Sequence, residues 1–243
     1  MKAIVLTAGT GSRLGPITSQ STKGMVKVKQ KRLIDYLLDF LDPSFFDEII
    51  VVGGFAFQEL KDHLARQKIS NLKILENKDY LKGNIYTLLK GLEEIDNNSF
   101  LITNVDHIYP PKMFKEMSKH FSQITAMCDF DRSLGQDDMK VKLKEDGQKI
   151  KKISKQLTDF EAGYIGMTYV DQASLSFYKG ALEKTLSLYG DKAVVENILQ
   201  VLAEDEKLAP KICDLSGFGW YEVDDQADLE KTEAGLIKDP NFN

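Results

Sequence analysis

Cysteine is scarce in this chain, since its 243 residues include only Cys128 and Cys213. Two cysteines this far apart provide neither the ligand set of a zinc site nor the framework of a disulfide-stapled domain. Cys128 also lies in the apolar run 124–130, which is typical of a buried thiol. These features favour the reducing cytoplasm as the location of the protein.

Long apolar runs are absent as well. The first run, Ala3 to Leu6, has four residues before the polar residues begin, which is too short for the apolar core of a secretory signal. No later stretch reaches the roughly 20 apolar residues that cross a bilayer. We therefore expect no membrane partner.

The chain has few histidines, prolines and glycines. His63, His107 and His120 show no spacing that predicts a zinc site or a Ser-His pair, although His107 directly follows Asp106. With 6 Pro, 17 Gly and 42% hydrophobic residues, the composition excludes a disordered or collagen-like chain. A chain of 243 residues can bury a sizeable core, so we predict a single domain spanning residues 1–243.

An excess of positive charge is also missing, because the formal net charge is −5. Nucleic-acid binding needs a basic face that neutralises phosphates, so nucleic acid is not an expected partner. Residues 1–34 are an exception, with seven Lys and Arg and no Asp or Glu, which makes this segment +7 and the remainder −12. The segment could hold a small anion or could be an ordinary solvated surface.

Short β-branched segments alternate with segments of helical periodicity through the first half of the chain. The predicted strands are 3–6, 48–52, 72–75 and 100–103, and the predicted helices are about 33–41, 56–67 and 84–95, with another after Pro110. This alternation predicts an α/β fold in which helices flank a parallel sheet.

The pattern changes from about residue 124 to residue 168. The strand candidates 139–143, 150–154 and 164–168 follow one another without a helix, and Glu145, Asp146 and Gly147 form a turn signal between the first two. We therefore predict a mixed, mostly parallel sheet with a small antiparallel extension. The remaining predicted elements are helices near 175–188 and 194–203, a last strand near 219–223 and a helix at about 226–236.

The first predicted strand runs into a loop of small residues, Thr7 to Gly15, at the strand end where α/β sheets bind ligands. Glycine lets backbone N–H groups approach phosphate oxygens, and Arg13 adds a permanently charged donor. No Walker A sequence is present, and the dinucleotide fingerprint fails because Leu14 stands where a third glycine is needed. NAD is therefore disfavoured, and the loop is either another phosphate loop or a simple turn.

A longer composite pattern surrounds this loop. It consists of Ala8-Gly9-Thr10-Gly11-Ser12-Arg13-Leu14, then Thr22-Lys23-Gly24-Met25-Val26, then Lys31-Arg32-Leu33-Ile34. The pattern resembles the nucleotidyltransferase signature of the sugar-nucleotide pyrophosphorylases. Thr22, Gln30 and Arg32 stand where that family usually has Pro, Gly and Pro, whereas the charged positions Arg13 and Lys23 match.

Later segments extend the resemblance. Asp106, after an apolar strand, resembles the metal-binding aspartate of the family, and Asp224, which follows the predicted last strand, resembles its second metal ligand. Either residue alone would also fit a solvated carboxylate at a strand end. Lys155 resembles the family's lysine that contacts the acceptor phosphate, although the neighbouring lysines also fit an exposed basic run.

The resemblance implies a Rossmann-like fold of the nucleotide-diphospho-sugar transferase type and a Mg²⁺-dependent nucleotidyl transfer. An acceptor phosphate oxygen attacks the α-phosphorus of a nucleoside triphosphate, pyrophosphate leaves, and catalysis is mainly electrostatic. The implied roles are Mg²⁺ binding by Asp106 and Asp224, triphosphate binding by Arg13 and Lys23, and acceptor binding by Lys155. The wider nucleotide site is expected to include Ala8, Gly9, Gly11, Ser12, Gly83 and Asn84.

The segments 83–88, 139–141 and 161–166 are less similar to the sugar branch than to the CTP-using branch that acts on phosphocholine, phosphono-amines or inositol 1-phosphate. We therefore expect CTP and a small phosphorylated alcohol or amine as substrates. Glu161 with Tyr164, Trp220 and Tyr221 could hold a cationic amine, could hydrogen-bond inositol hydroxyls, or could include aromatic residues of the core. The alternatives are a UTP- or dTTP-dependent sugar-1-phosphate enzyme and a non-catalytic nucleotide-binding module.

Overall fold

A computed structural model describes residues 1–242 and contains a nine-stranded mixed sheet with two small two-stranded sheets. The strands are β1 Lys2–Thr7, β2 Lys27–Val28, β3 Lys31–Arg32, β4 Glu48–Gly53, β5 Leu72–Glu76, β6 Phe100–Asn104, β7 His107–Ile108, β8 Ile124–Asp129, β9 Lys140–Leu143, β10 Ile150–Ser154, β11 Ala162–Val170, β12 Lys211–Asp214 and β13 Tyr221–Glu222. The large sheet has the order β10-β9-β11-β6-β1-β4-β5, with β8 beside β11 and β12 beside β8.

The four strands predicted from the first half of the chain form the parallel part of the large sheet. β1 pairs in parallel with β4 on one side and with β6 on the other, and β4 pairs in parallel with β5. Both β1 and β4 are buried over all but their first residue. Strands covered on both faces read as almost uninterrupted apolar runs, which is the pattern that identified them in the sequence.

The predicted antiparallel extension is confirmed. β11 runs antiparallel to β6, β8 and β9, and β9 and β10 form a hairpin. Gly147 occupies the hairpin turn with a φ of 67°, a left-handed conformation that glycine adopts without a Cβ penalty. β12 was not predicted, because its four residues begin with Lys211 and end with Asp214 and therefore show too little apolar periodicity.

Helices cover both faces of the large sheet. They are α1 Leu33–Phe40, α2 Phe57–Leu64, α3 Asn84–Leu92, α4 Pro111–Met117, α5 Leu175–Tyr189, α6 Val195–Ala203 and α7 Gln226–Lys238. One apolar cluster joins α3, α5 and α6 to the sheet, and a second joins α1, α2 and α4 to the opposite face. The predicted helices are confirmed, although α2 and α3 end about three residues earlier than predicted. None of the helices in residues 1–242 combines the length and apolarity needed to span a bilayer.

The last predicted strand, near residues 219–223, differs from the prediction. It is reduced to the two residues of β13, which pair antiparallel with β7 and do not join the large sheet. A third apolar cluster, including Val26, Ile108 and Val223, packs at this small sheet. The small sheet lies where β6 ends, so it brings the C-terminal part of the chain to the carboxyl edge of the parallel strands.

Candidate active site

A cavity of about 210 Å³ opens at the carboxyl ends of the central strands. Leu6 near the end of β1 lies beside Asn104 at the end of β6, and the chain continues from both strands into the walls of the site. The cavity is lined by Arg13, Asn84, Asn104, Asp106, His107, Asp137, Asp138, Met139, Lys155, Tyr164, Gly166, Val194, Glu196, Glu222 and Asp224. This is the edge of a parallel sheet at which ligands are expected to bind.

Two threonine side chains hydrogen-bond to the backbone of the loop after β1. Thr22 Oγ1 donates to the backbone oxygen of Thr7 at 3.0 Å, and Thr18 Oγ1 donates to that of Gly11 at 2.7 Å. Gly11 has a φ of 63°, and a Cβ there would lie 3.0 Å from Thr18 Cγ2. A Cβ at Gly9 would have no atom within 4 Å, so this part of the loop faces open space.

Thr22 therefore explains one departure from the family pattern. Its side chain is fully buried, and its hydroxyl supplies a hydrogen bond that the proline usual at this position cannot make. The bond ties the segment containing Lys23 to the end of β1. Ala8, Gly9, Gly11 and Ser12, which the resemblance assigned to the nucleotide site, lie in this segment after β1, and none of them lines the cavity.

Lys23 lies between two carboxylates that come from distant parts of the chain. Its Nζ donates to Asp106 Oδ2 at 2.7 Å and also to Asp224 Oδ1. The second oxygen of Asp224 is 2.6 Å from Arg13 Nη2, and Arg13 Nη1 is 3.7 Å from Asp137. The structure thus brings together the two cations and the two aspartates that the sequence pattern selected.

These contacts shift the protonation equilibria of the site. Burial would lower the pKa of Lys23, but the carboxylates of Asp106 and Asp224 outweigh it and raise that pKa. Burial would raise the pKa of Asp106, but Lys23 and His107 hold it well below its usual range. Burial raises the pKa of Glu222, which Asp106 and Asp224 raise further. The centre of the site is therefore an ionised carboxylate held by ammonium and imidazole groups.

The small β7–β13 sheet places Asp106 and Asp224 side by side. Glu222 pairs with His107 and Tyr221 with Ile108, and the Val223 backbone N–H donates to the oxygen of Asp106 at 2.9 Å. Asp106 directly precedes β7, and a single residue, Val223, separates Asp224 from the end of β13. The side chains of Asp106 and Asp224 are only 20% and 14% exposed, so a cation between them is shielded from bulk water.

The donor set at this point suits a hard divalent cation. Carboxylate oxygens of Asp106 and Asp224 converge on one positive charge, which is the ammonium of Lys23 in this structure. Oxygen ligands from one or two carboxylates are what Mg²⁺ prefers in sites that also bind phosphate. The residues present therefore fit the magnesium that the family resemblance implies.

Lys155 lines the same cavity and is held through its backbone. The buried ammonium of Lys140 donates to the backbone oxygens of Lys155, Asp138 and Gln136 at 3.0, 3.3 and 3.4 Å. Lys140 thus joins the end of β10 to the loop that precedes β9. Asp138 itself lines the cavity, whereas Lys140 contributes by holding the backbone of Lys155.

Gly83 and Asn84 are placed at the start of α3, and Asn84 lines the cavity. Gly83 has a φ of 121°, a conformation reserved for glycine. The Oδ1 of Asn84 accepts a hydrogen bond at 3.2 Å from the backbone N–H of Val195 at the start of α6. Asn84 therefore joins two helix starts in addition to facing the cavity.

The predicted acceptor group of Glu161, Tyr164, Trp220 and Tyr221 is not assembled in the structure. Glu161 is exposed at the edge of β9, where it pairs with Lys142 at 2.8 Å. Tyr221 packs under α7, with its hydroxyl 3.4 Å from Asp239. Trp220 is buried and donates to Asp129 at 2.8 Å. Of the four, Tyr164 alone lines the cavity, and its hydroxyl is 2.9 Å from Thr168 Oγ1.

Several cavity residues were missed by the sequence reasoning. Glu222 lies two residues before Asp224 in the motif already singled out, so strand alternation could have placed it on the same side as Asp224. Glu196 lies in the first turn of α6 and carries no motif. Asn104 and Asp137 also line the cavity and were not predicted. His107, noted in the sequence as the neighbour of Asp106, and Met139, the first residue of the segment 139–141, line it too. Asp129 and Asp131 instead brace a loop, since they accept from the backbone N–H groups of Arg132 and Gly217.

Comparison with known proteins adds a family and full-length relatives. The family model described as the MobA-like NTP transferase domain matches residues 3–159. The choline-phosphate cytidylyltransferase of Streptococcus pneumoniae is 28% identical over 99% of this chain and 100% of its own length. The CTP:phosphoglutamine cytidylyltransferase of Campylobacter jejuni is 29% identical over 95% of this chain and 98% of its own. The inositol-1-phosphate CTP transferase of T. maritima superposes with a TM-score of 0.79, at 20% identity, over 98% of this chain and 96% of its own.

Proposed function

The chain belongs to the family of MobA-like NTP transferase domains, and from that premise we propose that it transfers CMP from CTP to a small phosphorylated alcohol or amine and releases pyrophosphate. The observation that carries the proposal is the convergence of Arg13 and Lys23 with Asp106 and Asp224 at one strand edge. Both full-length relatives are named as cytidylyltransferases, which supports CTP as the nucleotide.

The triphosphate would bind at the loop that follows β1. The open face at Gly9 leaves room for phosphate oxygens to approach backbone N–H groups. Arg13 belongs to the same loop, and Lys23 lies beside it, since a Cβ at Gly11 would be 3.3 Å from Lys23 Cβ. Both cations would neutralise charge that develops on the leaving pyrophosphate. When the nucleotide binds, Arg13 and Lys23 would leave their present carboxylate partners, Asp106 and Asp224, and contact its phosphates instead.

Asp106 and Asp224 would hold Mg²⁺, for which their oxygens and their low exposure are suited. When bound, the ion supplies neutralisation and orientation of phosphate oxygens for an in-line displacement. The chain's own contribution is to fix the two carboxylates through the β7–β13 pairing and to keep Asp106 ionised beside Lys23.

The acceptor would lie in the part of the cavity bounded by Lys155, Tyr164 and Glu196. Lys155 provides a positive charge for the acceptor phosphate. Glu196 is half-buried, and no other side chain in residues 1–242 hydrogen-bonds or forms an ion pair with its carboxylate; burial raises its pKa, and the nearby charge of Lys155 partly offsets this rise. An acceptor with a phosphate at one end and a cationic amine at the other would satisfy both groups, so we propose a phosphorylated or phosphonylated amine as the substrate class.

Glu196→Gln is expected to raise KM for an amine-bearing acceptor roughly 10- to 100-fold, because a charge-assisted contact is worth about 1.5–3 kcal/mol. KM for CTP is expected to stay near its native value. Steady-state pyrophosphate release with phosphocholine and aminoethylphosphonate measures both constants. Glu204→Gln, at the exposed end of α6, is the matched control. An unchanged KM for every amine would contradict the role given to Glu196.

The experiment that tests the whole proposal is a substrate matrix. CTP, UTP, dTTP and ATP are each combined with phosphocholine, aminoethylphosphonate, inositol 1-phosphate and glucose 1-phosphate, and pyrophosphate release is measured with and without Mg²⁺. We expect CTP with an amine acceptor and Mg²⁺ to be preferred. Preference for UTP or dTTP with glucose 1-phosphate would establish the sugar alternative, and no release in any combination would favour a nucleotide-binding module.

A further inference from the structure

His107 makes a contact that the proposed chemistry does not account for. Its Nδ1 is 2.7 Å from Asp106 Oδ1, while the other oxygen of Asp106 accepts from Lys23 at 2.7 Å. An ionised carboxylate can only accept hydrogen bonds, so Nδ1 carries the proton and donates it. One oxygen of Asp106 is thus committed to the histidine and the other to the cation.

Three residues pack closely around the imidazole of His107. Tyr109 and Trp220 both stack against it, with ring centroids 5.6 and 5.3 Å away and ring planes tilted by 17° and 19°. Gly166, with a φ of 79°, approaches the face of the ring, since a Cβ there would lie 2.9 Å from His107 Cε1, 3.0 Å from Nε2 and 3.2 Å from Nδ1. These contacts leave the ring little freedom to turn, so the direction of the Nδ1–H bond is fixed.

Trp220 has two further contacts of its own. The Arg132 guanidinium lies 3.7 Å from the centre of the Trp220 ring, and Trp220 Nε1 donates to Asp129 at 2.8 Å. The ring of His107 is therefore anchored to the loop after β8 as well as to β7. The other ring nitrogen, Nε2, is 4.0 Å from Glu222 Oε1.

From these contacts we propose that His107 is a positioning residue, which fixes the carboxylate of Asp106 so that a single oxygen, Oδ2, faces the cation of the site. This inference depends on the proposed function for one point, which is that the cation bound at Asp106 during turnover is Mg²⁺. Partners that orient a metal-binding carboxylate typically change metal affinity 10- to 100-fold when removed. The competing interpretation is that His107 only fills space in the stack.

Two substitutions separate the hydrogen bond from the stack. His107→Phe keeps a flat ring that can stack against Tyr109 and Trp220 but removes the hydrogen-bond donor. His107→Asn loses the ring but can place its amide N–H near the position of Nδ1. His107→Gln is the matched control for asparagine, since its amide reaches the position of Nε2 instead. Thermal melting reports the structural cost of each change.

The readout is binding of Mn²⁺, followed by electron paramagnetic resonance with CTP present, together with the Mg²⁺ concentration for half-maximal turnover. We expect His107→Phe and His107→Gln to weaken Mn²⁺ binding about 10- to 100-fold, and His107→Asn to stay close to the native protein. Native affinity in His107→Phe, or equal losses in the asparagine and glutamine variants, would overturn the proposal. If His107→Phe fails to fold, the asparagine–glutamine comparison still decides.

The Mn²⁺ measurement does not require turnover. A native protein that binds Mn²⁺ with CTP but transfers no nucleotide would refute the proposed function and leave the role of His107 open to the same comparison. A protein that transfers CMP normally while all three variants retain native metal affinity would refute the role of His107 alone.

Discussion

Replacing Asp224 by asparagine is expected to lower turnover by roughly 10²- to 10³-fold, the loss typical of removing one fixed group that stabilises transition-state charge. The carboxylate offers one oxygen to Lys23 and the other to Arg13. An asparagine has nearly the same shape but only one accepting oxygen and no charge. It therefore loses one cationic partner and most of its value as a ligand for Mg²⁺.

Pyrophosphate release measured across a range of Mg²⁺ concentrations tests this expectation. The half-activating Mg²⁺ concentration should rise. The melting temperature should fall only modestly, because asparagine fills the same space and Lys23 keeps its ion pair with Asp106. Asp225→Asn is the matched control, since Asp225 caps α7 and asparagine caps equally well. If Asp224→Asn kept native activity and native Mg²⁺ dependence, Asp224 would be an ordinary acid at a strand end.

Lys23→Ala is expected to produce a loss of turnover of similar size, about 10²- to 10³-fold. Lys23 forms ion pairs with both aspartates and borders the phosphate loop. Its removal therefore takes away the positive charge that would stabilise the leaving pyrophosphate. Steady-state rates at saturating CTP measure the effect. Lys27→Ala, in the same basic segment but exposed on β2, should retain native activity.

The same substitution has a pH-dependent effect on stability. Lys23 holds the pKa of Asp106 well below its usual range, so the pair stabilises the folded state above the unfolded carboxyl pKa of about 4. That contribution is lost as the pH falls through the folded-state pKa. Lys23→Ala should therefore cost roughly 1–3 kcal/mol of unfolding free energy at pH 7, and the difference from the native protein should shrink below pH 4. A difference in denaturant midpoint that does not vary with pH would contradict the ion pair.

The fold could be predicted from the sequence because its parallel strands are buried on both faces. β1 and β4 carry continuous apolar runs for that reason, and α1 and α3 show helical periodicity against them. The short pairs β7–β13 and β2–β3 have two residues a strand, which is too few for any period to show. The position of β13 depends on pairing across more than a hundred residues, and no local pattern reports such pairing.

The residues predicted to bind the acceptor show why a sequence motif does not determine the direction in which a side chain points. Tyr221 and Glu222 are neighbours in a strand, where successive side chains point to opposite sides. Glu222 faces the cavity, and Tyr221 consequently faces α7. Glu196 reaches the cavity only because α6 begins beside Asn84, a contact between residues 111 positions apart along the chain. The position of Glu196 in the site therefore depends on tertiary packing, which a local sequence pattern does not reveal.

The ion pairs among Arg13, Lys23 and Asp224 also link the binding of anions to the binding of cations. The two basic side chains can follow a polyanion only by leaving Asp224, and Asp224 and Asp106 then lose their counter-charge. A polyanion that binds together with its own cation brings a positive charge to the two carboxylates. A polyanion without a cation leaves both carboxylates without a counter-charge. Because such coupling is reciprocal, each kind of ligand strengthens the other by the same factor. We therefore expect discrimination against uncomplexed triphosphate at the binding step, before any chemistry begins.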